Sequence, residues 1–410
     1  MNLKRNLEKY AELLLKKGVN LQEGQDLVLS APVEAKDLVE EIVKIAYRDI
    51  KSGSVHVNWS YGKLARIKYE HATEEVLFDF PEYVLSKYKE LIDRKAAMLS
   101  ITASDPKLLA GIDPAKIAKV GKESAIKMKP FSTEIMSGKI RWNIGAMPSE
   151  AWAKSVFPEL ETDKAVEKLW EYIFACTRVD QEDPIAAWDE HTNNLFNKRD
   201  FLNEKKFVKL HYRAPGTDLH VELPVGHTWV AGPKQATDGV YFIPNIPTEE
   251  VFTMNKKNGV NGTLSSTMPL NLRGSLIEDF SFTFKDGKVV DFDARVGKEN
   301  LEKLMEMDEG AKYLGEVALV PVDSPISNLN TIFFNTLYDE NASCHFALGK
   351  AYPYTLEGGV NMSEDELKEA GANISLAHVD FMVGSKELEI DGYDTEGNVT
   401  PIFRRGNWAI

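Results

Sequence analysis

The order of hydrophobic and polar residues near the N-terminus predicts strands that alternate with helices. Gln25–Ser30 and Ser54–Ser60 have the short apolar runs of strands, and Glu34–Arg48 between them has the spacing of an amphipathic helix. This is a βαβ pattern, and two further strand-like runs follow at Ala96–Ser104 and Lys139–Met147. We therefore predict an α/β fold with a mainly parallel sheet for this part of the chain.

After about residue 195 the pattern changes to strands separated by Gly, Pro and Asn-Gly turns. A hairpin is indicated at Lys285–Lys288, where an Asp-Gly pair separates two alternating runs. We place an N-terminal α/β domain at residues 1–195 and a β-rich α+β domain at residues 196–410.

Composition and charge narrow the class of protein. The 410 residues include 63 acidic and 49 basic side chains, and the net charge of −14 disfavours binding to phosphate backbones or anionic lipid. The amphipathic N-terminus lacks the pattern of a signal peptide, no apolar run is long enough for a membrane span, and two cysteines are too few for a disulfide framework. We expect a cytoplasmic protein that binds neither nucleic acid nor membranes.

His378 and Asp380 lie two residues apart in a strongly β-prone run, SLAHVDFMVG. Positions i and i+2 of a strand share a face, so both side chains should project the same way and can converge on a metal ion. The alternative is a pair of surface polar groups without a ligand, and the spacing alone leaves both interpretations open.

A carboxylate, an imidazole and a phenol occur in one short stretch of small and apolar residues, as Glu340, His345 and Tyr352. Such a mixture is unusual for a solvated face and is compatible with converging ligands. The alternative is a turn capped by Asp339 or Glu340, with His345 hydrogen-bonded in the core.

Two further carboxylate positions are candidates because an unpaired buried carboxylate is costly. Glu316 begins an apolar strand, and an inward-facing side chain there would need a lysine, an arginine or a metal ion as its partner. Glu249 and Glu250 precede Val-Phe-Thr, where strand alternation sends them to opposite faces, so only one of them should be a ligand.

A catalytic cysteine is a weaker interpretation. Cys344 precedes His345, but adjacent residues of an extended chain point apart, and we expect a packed thiol. We treat the histidines outside the candidate clusters as structural or surface groups. For His220 and His227, the alternative is that they line a substrate cavity. These histidines are His56, His71, His191, His211, His220 and His227.

Four segments, NIPTEEVFT, YLGEVALVP, YDENASCHFALGKAY and AHVDFMVGS, resemble in order and spacing the signature segments of the aminopeptidase T / aminopeptidase S family. DPIAAWDEH and PGTDLHVELPVGH are also similar to family segments, so the resemblance runs from about residue 180 to the end and more loosely through the N-terminal domain. It implies a metal-dependent aminopeptidase for short peptides with a free N-terminus. It also implies a cytoplasmic homodimer whose active sites face an enclosed cavity.

The resemblance further implies a site with two divalent metal ions, for which mixed oxygen and nitrogen ligands suit zinc, cobalt or manganese. The implied metal ligands are Glu250, Glu316, Glu340, His345, His378 and Asp380. We choose Glu250 over Glu249 because it immediately precedes Val-Phe-Thr.

Catalytic roles follow for Tyr352, which lies outside this ligand set, and for Glu316, which belongs to it. Tyr352 would be a group that binds no metal but donates a hydrogen bond to the tetrahedral oxyanion. Glu316 is our candidate bridge between the ions, and Glu316 or Glu249 would carry a proton to the leaving amine. Two other functions stay open at this point: hydrolysis of a non-peptide amide or ester, and a binding protein with structural ions.

Overall fold

The computed structural model describes residues 2–103, 105–136, 138–272 and 275–410. Two compact units make up the chain, and each contains two segments. The first unit comprises Met1–Glu190 and Pro233–Pro247, and the second comprises His191–Gly232 and Thr248–Ile410. The single boundary expected from the sequence, between residues 195 and 196, lies five residues beyond the first of these divisions.

Twenty strands and twelve α-helices are present in the described part of the chain. The strands are β1 (Leu27–Pro32), β2 (Val55–Ser60), β3 (Ala97–Thr102), β4 (Trp142–Ala146), β5 (Lys209–Ala214), β6 (Thr217–Glu222), β7 (Val230–Ala231), β8 (Lys234–Gln235), β9 (Tyr241–Phe242), β10 (Val251–Thr253), β11 (Val260–Ser265), β12 (Leu270–Leu272), β13 (Ser275–Lys285), β14 (Lys288–Val296), β15 (Leu314–Leu319), β16 (His345–Gly349), β17 (His378–Met382), β18 (Glu389–Tyr393), β19 (Val399–Arg404) and β20 (Asn407–Trp408). The helices are α1 (Leu3–Leu13), α2 (Lys36–Ile45), α3 (Gly62–His71), α4 (Glu74–Phe78), α5 (Glu82–Asp93), α6 (Pro114–Met136), α7 (Glu150–Val156), α8 (Thr162–Cys176), α9 (Pro184–Lys205), α10 (Lys298–Met305), α11 (Thr336–Asp339) and α12 (Glu364–Glu369).

The first unit is built on a four-stranded sheet in the order β2-β1-β3-β4, and all three pairings are parallel. The predicted α/β fold with a parallel sheet is therefore confirmed, with each predicted strand found within a few residues of its expected position. The predicted run Ala96–Ser104 forms β3, although its last residue, Ser104, lies outside the described residues.

The predicted helix Glu34–Arg48 is composite. A 3-10 turn, Val33–Ala35, leads into α2, which buries Leu38 and Ile42 on its apolar face, and a π-helical turn, Ala46–Ile50, follows. Lys51, with a φ of 57°, ends the helix in the left-handed conformation. No helix in the described ranges has the length and apolarity that a membrane crossing requires.

The second unit contains two antiparallel sheets. The larger has the order β12-β13-β11-β6-β5-β18-β19-β20, with β14 on β13, and the predicted hairpin at Lys285–Lys288 joins β13 to β14. The smaller has the order β17-β16-β15-β10-β7. Both contribute to one hydrophobic core, in which the Tyr212 and Phe346 rings lie 5.0 Å apart, so the β-rich second fold is also confirmed.

Candidate metal centre

Candidate metal ligands lie on one face of the five-stranded sheet. Glu316 on β15 is paired across the ladder with Ala347 on β16, and Ala347 is paired with Asp380 on β17. Side chains opposite each other on neighbouring strands share a face, so the two carboxylates flank the small Ala347. The methyl group leaves space above the middle strand into which both carboxylates can lean.

A β-bulge at Gly315 determines where Glu316 points. Leu314 pairs with Leu348 and Glu316 pairs with Ala347, so β15 contains one more residue than β16 at this place. In a regular strand, Leu314 and Glu316 would share a face because they are two residues apart, but the bulge sends Leu314 into the core and Glu316 to the opposite side. Glycine is required because a Cβ at residue 315 would lie 2.2 Å from the Gly349 carbonyl oxygen.

His345 enters the same face from the start of β16. Its Nδ1 lies 3.0 Å from the Ser343 carbonyl oxygen, which places the ring proton there and leaves the Nε2 lone pair for a ligand. Nε2 lies 3.3 Å from a Glu250 carboxylate oxygen and 3.8 Å from Oε1 of Glu316.

His378, at the start of β17, is oriented in the same way. Its Nδ1 lies 2.8 Å from the Lys350 carbonyl oxygen, and its Nε2 lies 3.5 Å from Oε2 of Glu316 and 3.3 Å from Oδ1 of Asp380. A backbone carbonyl that fixes the tautomer of a ligating histidine is a common feature of metal sites.

Two groups of three ligand atoms result, and Glu316 belongs to both. Glu250, Glu316 and His345 form one group and Glu316, His378 and Asp380 the other, with all atoms of a group within 4.8 Å of one another. Oε2 of Glu316 and Oδ1 of Asp380 are buried and accept no hydrogen bond from any described residue. Buried carboxylate oxygens without a donor are unfavourable, so this donor set fits divalent metal ions.

Burial and neighbouring charges shift the pKa values of these groups when no metal ion is bound. Burial raises the pKa of Glu316, and the effect exceeds the opposing hydrogen bond from His345. Burial lowers the pKa of His378, but the nearby carboxylates of Asp380 and Glu316 together outweigh burial and bring the value to about 10. The pKa of His345 is raised above its usual range because Glu250 and Glu316 likewise outweigh burial. The cluster thus favours a positive charge at its centre.

The structure separates the two adjacent glutamates near β10. Glu250 lies in the cluster with His345, whereas a carboxylate oxygen of Glu249 lies 3.5 Å from Nε2 of His191. The backbone N–H of Glu249 donates to Oδ1 of Asn341, and Nε2 of His191 lies 2.8 Å from the Thr248 carbonyl oxygen. Sequence reasoning treated His191 as structural, and no local spacing links it to Glu249.

Glu340 lies beside the cluster rather than within either group of three. It belongs to a 3-10 turn, Glu340–Ala342, and its pKa is raised by burial first and then by the charges of Asp380 and Glu250. The electrostatic influence of these two carboxylates indicates that Glu340 faces the same region.

Tyr352 contacts the cluster through its ring, whose centroid lies 4.6 Å from that of His378. Burial and the charges of Glu316 and Asp380 raise the pKa of the phenol, so it stays protonated and can donate a hydrogen bond. Tyr354 stacks on Tyr352 at 5.3 Å, and Phe252 packs edge-on against both rings. Tyr354 and Phe252 were not singled out from the sequence, because aromatic residues near a strand usually indicate a core.

Cys344 is a packed thiol in this structure. Its Sγ donates to the Val320 carbonyl oxygen at 3.2 Å, and burial raises its pKa to about 12. A thiol with so high a pKa is a poor nucleophile near neutral pH.

A buried set of carboxylates and imidazoles on a β-sheet, with unsatisfied oxygens and preset histidine tautomers, defines a metal-binding protein. The chain matches the family described as Thermophilic metalloprotease (M29) over residues 3–408, and it belongs to this family. A divalent metal cofactor is therefore part of the protein.

Relatives of known name cover almost the whole chain. Aminopeptidase 2 of Geobacillus stearothermophilus is 50% identical over 99% of this chain and 98% of its own length. Aminopeptidase AmpS of Bacillus subtilis is 45% identical over 98% of each protein. The solved structure of wild-type AmpT from Thermus thermophilus is 41% identical, covers 100% of both chains and has a TM-score of 0.94.

Proposed function

We propose that the protein is a metal-dependent aminopeptidase that releases N-terminal amino acids from short peptides with two divalent ions. The observation that carries the proposal is the sharing of Glu316 between the group with His345 and the group with His378. The names of the relatives, all aminopeptidases, support the choice of peptides with a free N-terminus.

The geometry around Glu316 supports two ions rather than one. Oε1 faces His345 and Oε2 faces His378, so the two carboxylate oxygens are directed at different imidazoles. A carboxylate that offers one oxygen to each side is suited to bridge two cations. We assign the ligand roles to Glu250, Glu316, Glu340, His345, His378 and Asp380. Mixed carboxylate and imidazole donors favour zinc, cobalt or manganese.

The bound ions would supply Lewis-acid activation of water and of the scissile carbonyl. The protonated Tyr352 phenol donates a hydrogen bond to the developing oxyanion, because its ring is held against His378 at the edge of the cluster. Glu316 or Glu249 carries a proton to the leaving amine, since both are buried carboxylates of this region.

A cytoplasmic homodimer with an enclosed cavity completes the proposal. Its support is the family resemblance and, for the compartment, the two buried cysteines, Cys176 and Cys344, which form no disulfide. Light scattering should give twice the 46.0 kDa of the chain. Efficient trimming of folded proteins with free N-termini would contradict an enclosed cavity.

The test of the activity compares matched substrates and metal states. Chelated protein should lose hydrolysis of unblocked short peptides, and cobalt, zinc or manganese should restore it. The same peptides with an acetylated N-terminus should stay intact. Equal turnover of blocked and unblocked substrates would indicate a general amide hydrolase, and full activity of metal-free protein would exclude the proposed site.

A further inference from the structure

A second set of metal-ligating side chains lies on the larger sheet of the second unit. It consists of His211 on β5 and Asp218 and His220 on β6, and each residue offers one ligand atom within 4.8 Å of the other two. None of the proposed catalytic residues belongs to it.

The strand register explains why these residues meet. His211 is paired directly with His220, and Asp218 lies two residues from His220, so all three side chains share one face of the hairpin. Leu210 and Tyr212, the neighbours of His211 along β5, point to the opposite face and into the core. The hairpin turns at Pro215-Gly216, where the φ of +74° at Gly216 favours glycine and keeps the loop to two residues.

The imidazole of His220 has an unsatisfied nitrogen. Its Nδ1 is buried and makes no hydrogen bond within the described ranges. Its ring stacks on that of His211 with centroids 4.0 Å apart and an angle of 22° between the planes. Burial, followed by the charge of the neighbouring His211, lowers the pKa of His220.

His211 is already aligned with the carboxylate. Its Nε2 lies 2.6 Å from Oδ1 of Asp218, and the proton between them is the one that a metal ion would replace. An Arg213 guanidinium nitrogen lies 3.2 Å from Nδ1 of His211, but this side chain is anchored by Asp391 at 2.6 Å and Glu389 at 3.4 Å. Arg213 can therefore release the imidazole without losing its ion pairs. The exposed Asp218 carboxylate gives an ion access from solvent.

We propose that His211, Asp218 and His220 bind a single divalent transition-metal ion at a site separate from the catalytic cluster. Two imidazoles and one carboxylate suit zinc or copper, with water in the remaining coordination position. The ion would join β5 to β6 on the polar face of the sheet.

Equilibrium dialysis against zinc, with elemental analysis, tests the proposal. The zinc-loaded wild-type protein should hold one equivalent more than His211→Ala and His220→Ala, and Asp218→Asn should bind this equivalent at least tenfold more weakly. The matched control is His71→Ala, which removes an exposed histidine from the first unit and should bind as the wild type does. Equal zinc content in His220→Ala and wild type would overturn the site.

Copper gives a second readout. Cu²⁺ binds such donors more tightly than zinc, so in zinc-loaded wild-type protein it should displace the zinc of this site and produce an electron paramagnetic resonance signal coupled to two imidazole nitrogens. This signal should be missing in His220→Ala. Peptide hydrolysis should be retained in each variant, which separates loss of this site from failure of the proposed catalytic function. If His220→Ala does not fold, His220→Gln keeps a polar side chain at the position. The proposal then fails if the Gln variant keeps the two-nitrogen signal.

Discussion

Among single residues, the proposed chemistry depends most directly on Tyr352 and its phenol hydroxyl group. We expect Tyr352→Phe to keep its fold and its metal content while kcat falls by about a hundredfold or more, the scale of losing one oxyanion donor. KM should change much less, because the aromatic ring still packs against His378 and Tyr354. Steady-state kinetics on metal-replete protein measures both. A kcat near that of the wild type would show that Tyr352 serves only to pack.

Glu249 and Glu250 are adjacent but have different neighbours, so the same Glu→Gln substitution should affect metal binding differently at the two positions. Glu250→Gln removes a charged oxygen that lies 3.3 Å from Nε2 of His345, so metal affinity should fall by at least about tenfold. Glu249→Gln instead changes the contact with His191 and should keep the metal content. Competition with a fluorescent chelator measures both affinities. If the two variants exchange these outcomes, the ligand assignment at this position is wrong.

Residue types and order indicated most of the candidate site, but not its geometry. His378 and Asp380 were predictable as a same-face pair because strand alternation is a local rule. The roles of Ser343 and Lys350 were not predictable, since both act through backbone carbonyl oxygens that any residue would provide. The His211–Asp218–His220 site was also missed, because its recognition requires the hairpin register as well as the spacing.

At the scale of elements, the Gly315 bulge controls which face of β15 carries Glu316. We expect Gly315→Ala to destabilise the protein by roughly 1–3 kcal/mol, because the new methyl group meets the backbone of Gly349 and Lys350 at 2.2 to 2.7 Å. Metal affinity should fall as well, since the shift moves Glu316. Urea unfolding and metal titration measure the two effects.

The matched control for this substitution is Gly121→Ala in α6, where an added Cβ meets no described atom within 4 Å. Alanine favours a helix interior over glycine by up to about 1 kcal/mol, so this variant should be at least as stable as the wild type. Equal stability of the Gly315→Ala and Gly121→Ala variants would show that the bulge does not require glycine at residue 315.

Hydrophobic periodicity predicted the four strands of the parallel sheet and the hairpin of β13 and β14, because strands that pack on a core have a buried face. It could not identify the bulge: LGEVAL is apolar throughout apart from Glu316, and all six residues of β15 are buried. Nor could it show that 3-10 and π-helical turns flank α2, since these turns continue the same apolar pattern with small changes of pitch.

At the scale of the whole molecule, the chain enters the second unit and then returns to the first over Pro233–Pro247. The returning segment is held through its own backbone: the side-chain amide of Asn143 donates to the Ile243 carbonyl oxygen at 2.7 Å, and Ile144 forms a parallel bridge with Asn245. Contacts of this kind leave no hydrophobic period in the sequence. The change of sequence pattern near residue 195 could be recognised from the sequence. The return of the chain to the first unit over Pro233–Pro247 could not.

Metal removal should destabilise the folded protein because the buried carboxylates of the second unit lose their counter-charge. A ligand that binds only the native state stabilises it by about 3–4 kcal/mol at 100 to 1,000 times its Kd. For a unit of roughly 200 residues this corresponds to a rise in Tm on the order of 10 °C. The measurement is calorimetry of chelated His220→Ala protein with and without added zinc, a background in which the second proposed site cannot contribute. Adding Glu316→Gln to that background should abolish most of the shift, since Glu316 is shared by both groups of ligands. An undiminished shift in the double variant would place the stabilising ion elsewhere in the molecule.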